Sequence, residues 1–449
     1  LAGALGDIDH QRFIKRLQKM EYSEDISVDR FYAFASFLAK LSFFVYIFVL
    51  FFGTRIPFQD YLSTGEVRRV EDIATSNIVN QILFSFLYIL SFISLFPKRN
   101  RVILLIKSEK FLSLFLLWAF FSVLWSEFPL ISFKRWVQLF GGVIVLISAL
   151  IHFESMEEII KFIKVILIAY ILITFISIIY IPAATDYRFP AWRGISVHKN
   201  YLGQISLVSL IVWSIDLVNK GFAKRATTVL FWCLSLVLLI GSKSTTNILA
   251  GTFLLCMFGF FYVAKNIFQP VIGKFLSYSF SISLLGCLSI IVFFEWEIIG
   301  SLFSFFGKDL TLTGRTYLWA DIFTETKNHF LFGCGYGGFW IPKAPAIEAL
   351  YQEYTWFPNE AHLGYLDVLN ETGAIGLTLL IVMVVVYFVN MAQWNVNSSH
   401  WKWFVVAALI LNIAESSFFL PAAITGDFFL LSYLALHTEL EKGSRIFSI

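Results

Sequence analysis

Apolar residues run along this chain in long, nearly unbroken blocks, and short polar stretches separate them. Blocks approaching or exceeding about 18 apolar residues predict membrane-spanning helices, because only a helix satisfies its own backbone inside a bilayer. About twelve spans are expected, at 31–52, 78–96, 111–126, 132–151, 159–181, 201–218, 226–241, 245–264, 275–295, 363–390, 401–419 and 422–438. The ninth and tenth are separated by a segment, 296–362, rich in Trp, Gly and Pro. It holds too many aromatic residues for a disordered linker, so it is expected to fold over the bundle with short amphipathic helices. The expected fold class is an all-α polytopic membrane protein. The corresponding division is a head (1–30), helices one to nine (31–295), the large loop (296–362), helices ten to twelve (363–438) and a tail (439–449).

Composition sharpens this picture. The chain is 58% hydrophobic and only 14% charged, against roughly 25% charged in a soluble domain, which excludes a soluble enzyme. A net charge of +3 is too small to suggest a nucleic-acid partner. With the head in the cytoplasm, twenty Lys and Arg fall on that side and thirteen on the other. The positive-inside rule therefore places head and tail in the cytoplasm and the large loop outside. The polar head lacks the pattern of a removable signal peptide. Cys233, Cys256 and Cys287 lie in apolar runs, and no Cys or His pair has metal-ligand spacing, so neither metal nor cofactor is expected.

Outside cations stand out because topology alone disfavours them. Arg188, Arg193 and Lys199 crowd with His198 and Asn200 at the entrance to a span. Forked guanidinium donors near a helix start suit a diphosphate; the plain alternative is that the Arg residues reach lipid headgroups while His198 and Asn200 cap the helix. The turn Gly241-Ser242-Lys243-Ser244 could aim an ammonium and hydroxyls at an anion, or serve as a simple hairpin. Arg315 opens an amphipathic helix whose Leu318, Trp319, Ile322 and Phe323 are expected to rest on the membrane surface. A cation in a first turn opposes the helix dipole unless an anion shares the site. Gly333-Cys334-Gly335-Tyr336-Gly337-Gly338 imitates a dinucleotide fingerprint, but no strand precedes it, so a sharp turn or close approach is expected instead. His362, in Pro358-Asn359-Glu360-Ala361-His362, sits at the water–membrane border, where an imidazole suits general-base work. Glu415 is an ionisable group near the outer end of a span and is expected to pair with an Arg.

In order along residues 110–435, the chain resembles the superfamily of O-antigen ligases and of O-antigen and exopolysaccharide polymerases. The features are Leu124-Trp125-Ser126-Glu127-Phe128-Pro129, Arg193-Gly194, His198-Lys199-Asn200-Tyr201-Leu202-Gly203, Ser242-Lys243-Ser244, Leu312-Thr313-Gly314-Arg315, the glycine cluster, Ala361-His362-Leu363-Gly364-Tyr365-Leu366 and Glu371-Thr372-Gly373-Ala374-Ile375-Gly376. Leu363 departs from the pattern, since relatives tend to carry Asn after the His.

The resemblance implies an enzyme of the bacterial inner membrane, with its site on the periplasmic face. It would transfer glycan from an undecaprenyl-diphosphate carrier to a glycan or lipid-linked glycan acceptor, with inversion and without a metal. Arg193, Arg315, Arg188 and Lys243 would hold the diphosphate and His362 would take the acceptor proton, with His198, Asn200, Glu415, Asn359 and Glu360 in support. Membrane lipids and a chain-length regulator would be further partners. Polymerisation of repeats into exopolysaccharide or O-antigen is the favoured activity. Ligation to lipid A-core is the alternative within the enzymes, and a lipid-linked oligosaccharide transporter is the rival of another class.

Overall fold

The computed structural model of this chain describes residues 26–53, 78–185, 190–219, 225–267, 315–342, 344–354, 358–393 and 401–446. The expected span 275–295, most of the head and Arg188 lie outside the described residues. The helices are α1 (Ile26–Phe52), α2 (Ile78–Leu95), α3 (Arg99–Ser108), α4 (Lys110–Phe121), α5 (Pro129–His152), α6 (Met156–Tyr180) and α7 (Lys199–Asn219). They continue with α8 (Arg225–Gly241), α9 (Thr245–Ile267), α10 (Arg315–Thr326), α11 (Pro345–Glu353), α12 (Gly364–Gln393), α13 (Lys402–Leu411) and α14 (Ile424–Ile446). Six described segments are long and apolar enough to cross a membrane: Arg30–Phe52, Ile78–Ser108, Pro129–His152, Met156–Tyr180, Lys199–Leu217 and Gly364–Met391. Five shorter apolar helices accompany them.

Local chemistry accounts for several helix starts. Pro129 occupies the first turn of α5, where its missing N–H costs nothing. The Ser155 side chain caps α6 by accepting from the Glu158 N–H. Glu158 also pairs with Lys40 of α1 at 2.6 Å. Lys164 of α6 and Asp216 of α7 form a second ion pair between helices. Charges inside apolar helices are costly alone, and these four are matched in pairs between neighbouring helices.

α14 lies at the centre: every residue from Ile424 to Leu436 is buried. It contacts α5, α13, α7, α3 and α12, and an all-round apolar helix belongs in such a position. Its Phe428 stacks on Phe51 of α1, and Phe429 meets Phe418 edge-on. α1, α2 and α5 pack together on one side, α7 pairs with α8, and α12 lies against α4.

Two sequence expectations are revised. The span expected at 401–419 is helical only to Leu411, and residues 412–423 form consecutive turns before α14 begins. Asn412 causes this: its Oδ1 accepts from Ser417 N and Phe418 N at 2.8 and 3.1 Å, and its Nδ2 donates to Ser417 Oγ at 2.8 Å. An amide that bonds the chain ahead competes with the helix ladder. Second, the apolar face of α10 is turned largely inward: Leu318 and Ile322 are fully buried with Phe339, Ile341, Ile347 and Leu366. The large loop supplies most of these apolar partners, and of the large apolar side chains of α10 Tyr317 and Phe323 face outward.

α12 breaks at Gly373, where φ is 70° and ψ −176°. The glycine cluster repairs the lost backbone bonds. Cys334 N and Gly335 N donate to Asn370 O and Glu371 O, both at 3.0 Å, while Ala374 N donates to Phe330 O at 2.8 Å. Trp118 Nε1 donates to Thr372 O at 2.8 Å and Trp125 Nε1 to Gly333 O at 3.1 Å. A Cβ at Gly333 would stand 2.4 Å from Glu371 O, and one at Gly373 would stand 2.2 Å from Leu331 O. We expect Gly333→Ala and Gly373→Ala each to destabilise the fold by more than about 1–3 kcal/mol, through positive φ and backbone overlap together. Gly259→Ala, where a Cβ meets nothing within 4 Å, should be neutral or better in helix propensity. Thermal unfolding in detergent distinguishes the three.

Candidate functional site

The segment before α12 is held from several directions. Trp319 Nε1 of α10 donates to Ala361 O at 2.8 Å, and Ala361 N donates to the Asp367 carboxylate at 3.1 and 3.3 Å. Gly364 N donates to Asn412 O and Glu415 O at 2.9 and 3.1 Å. That approach leaves no room for a side chain, because a Cβ at Gly364 would lie 1.9 Å from Asn412 Oδ1. Between these anchors His362 takes a left-handed φ of 51°. Phe419 and Ala422, on the turn segment opposite, have positive φ as well. Such conformations in non-glycine residues concentrate at functional sites because the surroundings must impose them.

Four segments converge here. His362 Nδ1 lies 2.7 Å from Glu360 Oε1 and 3.6 Å from Glu415 Oε2. Arg315 of α10 places Nη2 3.5 Å from Glu415 Oε1 and donates Nη1 to Ala414 O. Asn200 of α7 donates Nδ2 to the same Glu415 oxygen at 3.0 Å. Glu415 is 4% exposed, so its charge is tolerable only because a cation, an imidazole and an amide surround it.

Burial alone would pull the His362 pKa down, but bonds to Glu360 and Glu415 outweigh burial and the nearby Arg315, raising it to about 9. Burial would likewise raise the Glu415 carboxyl, yet His362 and Arg315 bring it below the ordinary Glu value. The donor atoms of Glu360, His362 and Glu415 lie within 4.8 Å of one another, a group that could hold a metal ion. Arg315 already supplies positive charge to Glu415, which opposes a divalent ion at the same carboxylate.

This cluster lines a cavity of about 640 Å³. Of the sequence candidates, His198, Asn200, Arg315, Asn359, Glu360, His362 and Glu415 line it together, although Arg315 and Glu415 are 100 residues apart in the chain. Arg193 and Lys243 are not among the lining residues. Arg193 Nε donates to Ala183 O at 2.6 Å and Nη1 to Val197 O at 3.4 Å, so its fork shapes the loop that leads to His198. The Lys243 turn joins that region through Trp192 N, which donates to Gly241 O at 2.8 Å, and through Asn247 Nδ2, which donates to Asn200 O at 3.3 Å.

Sequence reading missed Asp367, Arg135 and Ser416. Arg135 of α5 donates to Gly337 O and Trp340 O at 2.6 and 3.1 Å, and Gly337 N donates to Glu371 Oε2 at 2.8 Å. An acid within an apolar span, as Asp367 and Glu371 are in α12, is the signal that could have singled them out.

Residues 229–381 match the family model described as O-antigen ligase. The chain is also 26% identical, over 289 residues, to the Exopolysaccharide production protein ExoQ of Rhizobium meliloti (strain 1021). That match covers 61% of this chain and 63% of the relative, so it spans just under two thirds of the relative's length.

The raised pKa of His362 carries a sign for stability. Its folded value of about 9 exceeds the ordinary 6.5, so its contribution is fully present below pH 6.5 and is lost as pH rises through 9. We expect thermal stability to fall across that window in the unaltered protein and His362→Gln to remove that part of the slope.

Proposed function

Because the chain belongs to the superfamily of O-antigen ligases and of O-antigen and exopolysaccharide polymerases, we propose that it polymerises lipid-diphosphate-linked oligosaccharide repeats at the periplasmic face of the bacterial inner membrane. One observation carries the reading: a single cavity gathers a guanidinium, an imidazole, two carboxylates and an amide from four separate segments. A glycosyl diphosphate is already a good electrophile, so the protein's tasks are to offset the charge of the departing group and to take one proton.

In this reading Arg315 faces the diphosphate oxygens. The acceptor hydroxyl attacks the anomeric carbon, the carbon–oxygen bond to the diphosphate breaks with its electron pair leaving on the phosphate, and the configuration inverts. The hydroxyl proton goes to His362 Nε2, while Nδ1 keeps its contact with Glu360. With a pKa of about 9, the neutral imidazole is the minor form at neutral pH. Transfer should therefore rise about tenfold per pH unit towards 9 and then level. Arg193 and Lys243 act on the loops beside Asn200, and Arg193→Lys tests whether a forked donor is needed there.

Ligation is the second reading, and the description of the matching family model favours it. Purified protein supplied with a lipid-linked repeat alone should lengthen glycan chains if it is a polymerase; product formed only when lipid A-core is added marks a ligase. Movement of the lipid-linked glycan across proteoliposomes with no new bond marks a transporter and overturns both. His362→Ala should lower transfer at least a hundredfold while donor still binds, and Arg315→Lys should lower it steeply at normal membrane abundance. Normal activity in both variants would refute the assignment of this cavity. A cysteine at Tyr317, which is exposed on α10, should react with an impermeant thiol reagent in spheroplasts; failure to label would refute the orientation.

A further inference from the structure

Asp367, in the first turn of α12, is buried in the wall of the same cavity. Its carboxylate accepts from Trp340 Nε1 at 2.7 Å, from Ala361 N, and from Ser416 Oγ. Ala361 immediately precedes His362, and Ser416 immediately follows Glu415. One carboxylate thus grips the residue beside each half of the His362–Glu415 pair, and its third bond ties both to the end of the glycine segment.

Trp319 and Arg315 also hold Ala361 and Ala414 from α10, but among the described hydrogen bonds only the Asp367 carboxylate joins the two segments on the Ala361 side of His362. Gly364 N bonds the Glu415 backbone on the far side of His362, which fixes one end of the four-residue span 361–364, and Asp367 fixes the other. We propose that Asp367 is a positioning residue that sets the distance between His362 and Glu415 without touching substrate. The inference deepens the reading of this cavity as the transfer site, but its geometric core stands apart from that reading.

Charge and hydrogen bonding both matter to the clamp. Backbone N–H and indole N–H can only donate, and Ala361 N makes its shorter bond, 3.1 Å, to Oδ2 while Trp340 Nε1 takes Oδ1. In Asp367→Asn with the NH2 in the Oδ2 place, Ser416 Oγ can turn to accept, but the shorter Ala361 bond is lost. The groups around His362 are Glu360 on its own loop, Glu415 on the turn segment, Arg315 on α10 and His198 at the start of α7. Loosening the clamp moves His362 away from Glu415 and leaves these neighbours in place.

The test uses the full chain in detergent, with and without substrate. Without substrate, thermal stability is measured from pH 6 to 10 for the unaltered protein, Asp367→Asn and Ser416→Ala, each paired with its His362→Gln double variant. The difference within each pair reports the imidazole alone. In the unaltered protein that difference should disappear around pH 9; in Asp367→Asn its end should move at least one pH unit lower, with a smaller move in Ser416→Ala. A merely structural role would lower stability equally at every pH and leave the end point where it was, in both variants, and that result would overturn the proposal. Should Asp367→Asn fail to fold, Ser416→Ala, which removes one bond only, decides alone.

With lipid-linked donor, kcat in Asp367→Asn should fall roughly a hundredfold, as for a displacement of about 1 Å, with donor KM within about twofold. Unchanged kcat beside a shifted pH end point would sink the transfer-site reading while leaving the positioning intact. An unchanged end point in active protein would sink the positioning alone.

Discussion

A helix that breaks inside an apolar span must find new partners for its freed backbone groups, because lipid offers none. α12 breaks at Gly373, and the chain meets the obligation with the 330–335 segment and the Trp118 indole, while the Trp125 indole holds that segment at Gly333. The rest of the site depends on this repair. It draws the glycine cluster onto α12, where Gly337 and Trp340 are then held by Arg135. It also seats the end of α10: Thr326 Oγ1 and His329 Nε2 both bond Asn370 Oδ1, at 2.9 and 2.8 Å. With its far end pinned there and its apolar face buried, α10 presents Arg315 to Glu415.

The ionisable groups at the cavity compensate one another. Arg315 and His362 share Glu415, and Glu360 meets His362 at the same Nδ1. A buried charge left unpaired costs several kcal/mol, and Glu415 balances Arg315 and His362. Under the proposed function an arriving diphosphate would share Arg315 with it. The same balance raises the basicity of His362. Asp367 and Asn412 take part through hydrogen bonds that shape the two backbone segments carrying the pair.

The sequence alone determined the all-α, membrane-spanning class of the fold and where many of the described helices begin. Apolar blocks imply helices because a bilayer admits little else, and the starts of α2, α5, α6, α7, α8 and α9 fall within a few residues of the blocks that announced them. Arg315 and Glu415 stand out in the sequence as charges where topology or burial disfavours them, and His362 as an imidazole at the water–membrane border with Glu360 beside it. Only the tertiary structure decided which of these meet. Arg193 and Arg315 read alike as cations at helix entrances, yet one bonds carbonyls of its own loop and the other faces Glu415. Leu318 and Ile322 read as a membrane-facing stripe, yet Phe339 and Ile347 cover them. Residues 412–419 read as a continuing helix, until Asn412 turned the chain. In each case the local pattern records only that a side chain needs an apolar or charged partner. Which partner it finds depends on groups distant in the chain, and their proximity is set by packing, which leaves no periodic trace in the sequence.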